Sequence, residues 1–115
     1  MAVTIYHNPR CSKSRAALAL LEEKGIALKV VEYLKAPPSK AEMKRILKGL
    51  GMEPRELMRR KEAPYAELGL DNPKLGRDDL IDAMLANPIL IERPVVAKGG
   101  KYVLGRPPEN VLGIL

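Results

Sequence analysis

The sequence predicts an α/β fold built on a mixed four-stranded sheet. Three features carry that prediction: a strand, helix and strand in succession at the start, a run of helical patterns in the middle, and a hairpin pattern near the end. The first makes a parallel pair joined by a right-handed crossover, and the hairpin adds antiparallel strands to it.

Val3 to Tyr6 is short, apolar and β-prone and reads as a buried strand. Ser12 to Lys24 is rich in Ala and Leu and reads as a helix, with Gly25 placed where a left-handed cap would stop it. Leu28 to Tyr33, with Val30 and Val31, is the second strand. Ala36-Pro37-Pro38 then marks where a helical insertion leaves the sheet, over about residues 37–90 of a single 115-residue domain. Within it, Ser39-Lys40-Ala41-Glu42 has the capping-box pattern, and Met43, Ile46, Leu47 and Leu50 recur at helical spacing until Gly51. Pro54 opens a short helix expected to contain Leu57, Met58, Arg59 and Arg60. A further helix is expected from about Arg77 to Ala86, with Leu80, Ile81, Met84 and Leu85 as its apolar stripe and Asp78 and Asp79 at its positive end. Val95-Val96-Ala97 and Tyr102-Val103-Leu104, separated by Lys98-Gly99-Gly100-Lys101, give the hairpin. Pro107 and Pro108 lead into a last helix, weakened by Gly113.

With 115 residues the chain is long enough to bury a core without disulfides or a structural metal. Lacking Trp and Phe, it must build that core from aliphatic side chains, with four Tyr as its only aromatic rings. Its single cysteine and single histidine make neither an internal disulfide nor a thiol-rich zinc site. No metal is expected. The N-terminus has no long apolar run after a basic start, and no segment approaches the roughly 20 apolar residues of a membrane span. A reducing cytoplasm is therefore the expected location, with no membrane partner. The net charge of +6 invites a nucleic-acid reading. However, lysines and acids interleave, as in Glu22-Glu23-Lys24, and no basic run alternates with stacking aromatics. No nucleic acid is expected, and the charge suits a small anion or an acidic partner.

The lone Cys11 lies in Tyr6-His7-Asn8-Pro9-Arg10-Cys11-Ser12-Lys13-Ser14-Arg15, between the first strand and the first helix. Most free cysteines are small buried core residues, but the neighbours of this one are polar, charged or turn-forming. A helix N-terminus with flanking Arg and Lys lowers a thiol's pKa from its free value of roughly 8.5 and favours the reactive thiolate. The loop also falls at the carboxyl end of the first strand, where open α/β sheets place their chemistry.

The element order is that of a thioredoxin-like fold, and separated blocks of sequence carry a more specific likeness. They are Tyr6 to Arg15, Arg55-Glu56-Leu57-Met58-Arg59-Arg60-Lys61-Glu62, Glu67-Leu68-Gly69-Leu70, Asn87-Pro88-Ile89-Leu90-Ile91-Glu92-Arg93-Pro94, and Gly105-Arg106-Pro107-Pro108-Glu109. Together they span essentially the whole chain, which resembles the glutaredoxin-dependent arsenate reductases of the ArsC type, in the branch with Cys-Ser-Lys-Ser-Arg at residues 11–15. The resemblance implies that Cys11 is the nucleophile and that Arg59, Arg93 and Arg106 hold the oxyanion, arsenate or a similar ion. Arginine suits that task, since its planar, permanently charged donors grip two oxygens at once. Arg60 adjoins Arg59 and takes the role if that helix is rotated. The resemblance also makes Pro94 the cis-proline beside the cysteine. His7 and Ser14 are candidate tuners of the thiolate, by charge and by hydrogen bonding respectively. Either can instead serve the loop itself, His7 through a structural hydrogen bond and Ser14 by bonding the backbone.

The cysteine count adds a constraint. A thiol–arsenate adduct needs a second thiol to complete a two-electron reduction, and this chain has none. The resemblance supplies it as glutathione, a co-substrate, with glutaredoxin clearing the mixed disulfide. No bound cofactor is implied. Two other functions share much of this pattern: an Spx-type regulator that binds RNA polymerase, and a monothiol oxidoreductase acting on glutathionylated proteins. Spx-type regulators commonly carry Cys-x-x-Cys, whereas position 14 here is Ser.

Overall fold

A computed structural model describes residues 2–115. In chain order the elements are β1 (Val3–Tyr6), α1 (Ser12–Glu23), β2 (Leu28–Val31), α2 (Lys40–Leu50), α3 (Pro54–Leu57), α4 (Ala63–Glu67) and α5 (Arg77–Ala86). A 3₁₀ turn (Pro88–Leu90), β3 (Val95–Lys98), β4 (Lys101–Leu104) and a 3₁₀ helix (Pro108–Ile114) follow. The chain divides into two compact units. The described residues up to Ala36 join Arg93–Leu115 in a sheet unit, and Pro37–Glu92 form a helical unit.

The sheet unit orders its strands β2-β1-β3-β4. β1 is central, parallel to β2 and antiparallel to β3. A central strand needs apolar side chains on both faces, and Val3, Ile5 and Tyr6 are all buried. β2 is an edge strand and leaves Val30 46% exposed. The core gathers Val3, Ile5, Ala17, Leu21, Val96 and Val111. The hairpin closes at the Lys98–Lys101 pair. Gly99 and Gly100 have φ of 54° and 82°, the doubly left-handed conformation that suits a two-residue hairpin turn and that glycine adopts without strain.

The sheet unit differs from the sequence reading at two ends. β2 stops at Val31, two residues short of Tyr33, because its partner strand ends at Tyr6 and the chain beyond leaves the sheet. Residues 32–36 turn instead, with the amides of Lys35 and Ala36 donating to the Glu32 carbonyl at 3.0 Å. The last helix is 3₁₀ and not α. It starts at the second of two consecutive prolines and carries Gly113, and it packs on α1 and β4 through the buried Val111.

In the helical unit, α2 starts at Ser39, whose hydroxyl accepts the Glu42 amide at 3.1 Å, and stops at Gly51 with φ 66°. Met43, Ile46 and Leu47 are buried on α2, and Leu80, Ile81 and Met84 on α5, which packs against it. α5 spans the expected Arg77–Ala86, its N-terminus closed by the Asp79 carboxylate, which accepts the Gly76 amide at 2.9 Å. α3 is shorter than expected. It ends at Leu57, and Met58 forms an antiparallel bridge with Ile91. The Arg59 amide donates to the Leu90 carbonyl at 2.7 Å and the Glu92 amide to that of Leu57 at 2.8 Å. This long-range pairing buries Met58 and Ile91 and overrides the local helical pattern.

Candidate active site

The end of β1 sets the site. The His7 amide donates to the Val31 carbonyl at 2.8 Å, the final bond of the parallel pair, after which residues 8–10 leave the sheet. Cys11 is the N-cap residue of α1, with φ −94° and ψ 123°, and its carbonyl accepts the Arg15 amide at 3.0 Å. The side chain therefore stands over the first helical N–H groups, which have no partner within a helix.

A buried polar frame supports this loop. Ser14, on the first turn of α1, is fully buried, and its hydroxyl oxygen accepts the Asn8 amide at 3.0 Å. The same hydroxyl meets His7 Nδ1 at 2.7 Å. Asn8 Oδ1 accepts the Arg10 amide at 3.0 Å, and the Asn8 carbonyl accepts the Cys11 amide at 3.0 Å. The exposed Arg15 reaches back to the Pro9 carbonyl at 2.8 Å.

The Cys11 thiol is held below its ordinary pKa, although desolvation by burial, the largest single influence, pushes it up. Outweighing that are the Ser14 backbone N–H, the positive charge of Arg93, the Lys13 backbone N–H and a hydrogen bond from the Arg93 side chain. No formal cap hydrogen bond links the thiol to the helix. The Ser14 and Lys13 amides favour the charged sulfur as ordinary N-cap acceptors are favoured.

The geometry joins His7 and Ser14 to each other. Burial lowers the pKa of His7 below 6.5, with Arg15 adding to that lowering and Glu32 and Glu22 opposing it. The lowering favours the neutral ring over the charged one. His7 Nδ1 lies on the Ser14 hydroxyl. Ser14 acts on Cys11 through its backbone N–H, because its hydroxyl is engaged by His7 and Asn8.

Arg93 stands two residues before β3, next to Pro94, and is partly buried. Arg106, beyond β4, is exposed, and its guanidinium donates to the Arg93 carbonyl at 3.4 Å. The sheet unit thus links Cys11 to Arg93 and Arg93 to Arg106. The peptide bonds before Pro94 and Pro107 are both cis. Gly105 donates its amide to the Pro94 carbonyl at 2.9 Å. A Cβ there would lie 2.8 Å from Pro94 Cγ, 3.1 Å from Val111 and 3.2 Å from Ala17, so only glycine fits without displacing Pro94.

Arg59 belongs to the helical unit. Its guanidinium bonds the Glu62 carboxylate and lies 3.9 Å from that of Glu92. Because α3 has already ended, helix rotation does not decide between Arg59 and Arg60. The two side chains part, and Arg60 reaches the Arg55 carbonyl at 3.4 Å. Among the described residues, no three His, Cys, Asp or Glu side chains converge as a metal site. No helix there is long and apolar enough to cross a membrane.

A thiol at a helix N-terminus beside an arginine is equipped to attack an anionic electrophile. The profile of the ArsC family matches residues 6–114. This chain belongs to that family. Among its ArsC relatives, the arsenate reductase of Neisseria meningitidis serogroup A is 54% identical over 98% of this chain and 97% of that one. The Escherichia coli (strain K12) protein YfgD, described as uncharacterized, is 54% identical over 98% and 96%. The solved structure of the arsenate reductase from Vibrio cholerae superposes with a TM-score of 0.96 at 53% identity, covering 100% of this chain and 98% of that one. The sheet order and the helical stretch between β2 and β3 are thus those of the thioredoxin-like ArsC enzymes.

Proposed function

We propose that this ArsC-family chain is an arsenate reductase with Cys11 as its nucleophile. The observation that carries the reading is the placement of the chain's one thiol at the start of α1, beside Arg93 and with its pKa lowered. Arsenate reductases among its relatives, 54% identical over nearly the whole chain, support the substrate. Arg93 and Arg106 hold the oxyanion, and Arg59 joins them on the sequence resemblance. In the helical unit Arg59 faces Glu62 and Glu92, so an incoming anion competes with those carboxylates. His7 and Ser14 hold the loop, and Ser14 also lends its amide to the sulfur.

The reaction balances with one external thiol. The Cys11 thiolate forms a sulfur–arsenic(V) bond and an arsenate oxygen departs as water. A glutathione thiolate then attacks the Cys11 sulfur, and the sulfur–arsenic bond breaks with its electron pair passing to arsenic, which leaves as arsenite. Two thiols become one disulfide, matching the two electrons gained by arsenic. Glutaredoxin releases glutathione from Cys11 by thiol–disulfide exchange, and the cycle needs no bound cofactor. The reducing cytoplasm is the compartment that sustains this chemistry.

Steady-state arsenite formation with arsenate, glutathione and glutaredoxin tests the proposal. Turnover that requires all three is expected. An active, folded protein that handles glutathionylated substrates but ignores arsenate, or that instead binds RNA polymerase tightly, overturns it.

A further inference from the structure

We propose that Asn8 is a positioning residue for Cys11, fixing residues 8–11 so that the sulfur stands over the Lys13 and Ser14 amides. Asn8 is buried, 6% exposed, although its side chain is polar and it lies in a loop. Three of its groups are engaged locally. Its amide donates to Ser14 Oγ, its Oδ1 accepts the Arg10 amide, and its carbonyl accepts the Cys11 amide. The first contact anchors the loop to the first turn of α1, and the other two close a turn on the residue before the thiol and on the thiol's own residue. The Cys11 amide is occupied by Asn8, and the N–H groups of the first helical turn that act on the sulfur are those of Lys13 and Ser14. The amide of Arg10 is likewise consumed, by Oδ1. An asparagine two residues before a donor makes this turn readily, because its side chain mimics a backbone carbonyl.

The inference rests on Cys11 being an activated thiol, and its test separates the two ideas. Alkylation of the intact chain by iodoacetamide is followed against pH for wild type, Asn8→Ala and Asn8→Ser. Wild type is expected to titrate below the free-thiol value of roughly 8.5. In Asn8→Ala the midpoint rises by about one pH unit, equivalent to about a tenfold loss of thiolate at lower pH. Asn8→Ser, whose hydroxyl can accept the same amide, returns the midpoint part of the way to wild type. A merely structural role would lower the unfolding temperature without moving the midpoint, and a variant with the wild-type midpoint overturns the inference. A wild-type midpoint at the free value overturns the activated-thiol reading instead. Should Asn8→Ala not fold, amide hydrogen exchange on the unmodified chain decides. Protected amides at Arg10 and Cys11 are expected, whereas exchange there at exposed-loop rates contradicts the proposal.

Discussion

The two units treat their polar groups in opposite ways. In the sheet unit His7, Asn8 and Ser14 are buried in one connected network that leads to Cys11. In the helical unit, Arg59 and its carboxylates aside, charges pair on the surface, Lys40–Asp82 at 3.1 Å, Lys44–Asp78 at 3.6 Å and Arg77–Glu53 at 2.6 Å. Burying a polar group is costly unless its bonds are satisfied, and removing one partner exposes the full cost. Exposed ion pairs contribute little on their own. The contrast teaches where each unit tolerates change: the network fixes a reacting atom, while the surface pairs decorate helices already held by their apolar faces.

The largest expected effect is that of Cys11→Ser. Arsenite formation should fall below detection while the unfolding curve stays close to that of wild type, since a serine hydroxyl is close in size to the thiol and the side chain makes no formal cap bond to α1. Next comes Arg93→Ala, which removes both a charge and a donor from the sulfur. The activity–pH profile of the wild type should rise with deprotonation at a pH below the free-thiol value. In the variant that rise moves to higher pH, and each pH unit of displacement leaves about tenfold less activity on the lower limb. Lys44→Ala, in the helical unit, should leave the same profile unchanged, and a comparable displacement there would break the comparison.

Gly105→Ala should cost about 1–3 kcal/mol, the usual penalty for overpacking. Its Cβ meets Pro94, Val111 and Ala17 within 3.2 Å, and thermal unfolding measures the loss. A smaller and pH-dependent effect belongs to His7. Because its folded pKa lies below 6.5, the unfolded chain binds the proton first as pH falls. This contribution to stability is complete above about pH 6.5 and is lost as pH drops through the folded value. His7→Gln should flatten the fall in unfolding temperature as pH drops below about 6.5. The smallest effect is expected from Arg77→Ala, whose pair with Glu53 is mostly exposed, and denaturant unfolding should register a change of at most about 1 kcal/mol.

Much of this molecule is legible in its sequence wherever local chemistry and tertiary packing agree. Ser39 and Gly51 bracket α2, and Gly99-Gly100 fixes the hairpin, because a capping oxygen and left-handed glycines act within a few residues. Tyr33, Met58 and the 3₁₀ ending are less legible, since each is decided by a distant partner or by its absence. β2 ends because β1 does, and Met58 leaves the helical conformation because Ile91 pairs with it. α4 lacks the periodicity that makes a longer helix visible, with no residue of its single turn buried. At the site, Cys11 and its basic surroundings stand out in the sequence. The work of Asn8 and of the Ser14 amide does not, because Asn-Pro signals a turn without saying which amides it consumes.

The central claim, that Cys11 is the reacting thiol and that its resolving partner comes from outside the chain, is tested most directly by intact-mass analysis after incubation with arsenate and glutathione but no glutaredoxin. The account predicts a single added glutathione on Cys11, removed by reductant and absent from Cys11→Ser, with arsenite formation limited to about one equivalent until glutaredoxin is supplied. A protein of unchanged mass, with its thiol still free and no arsenite formed, would contradict it.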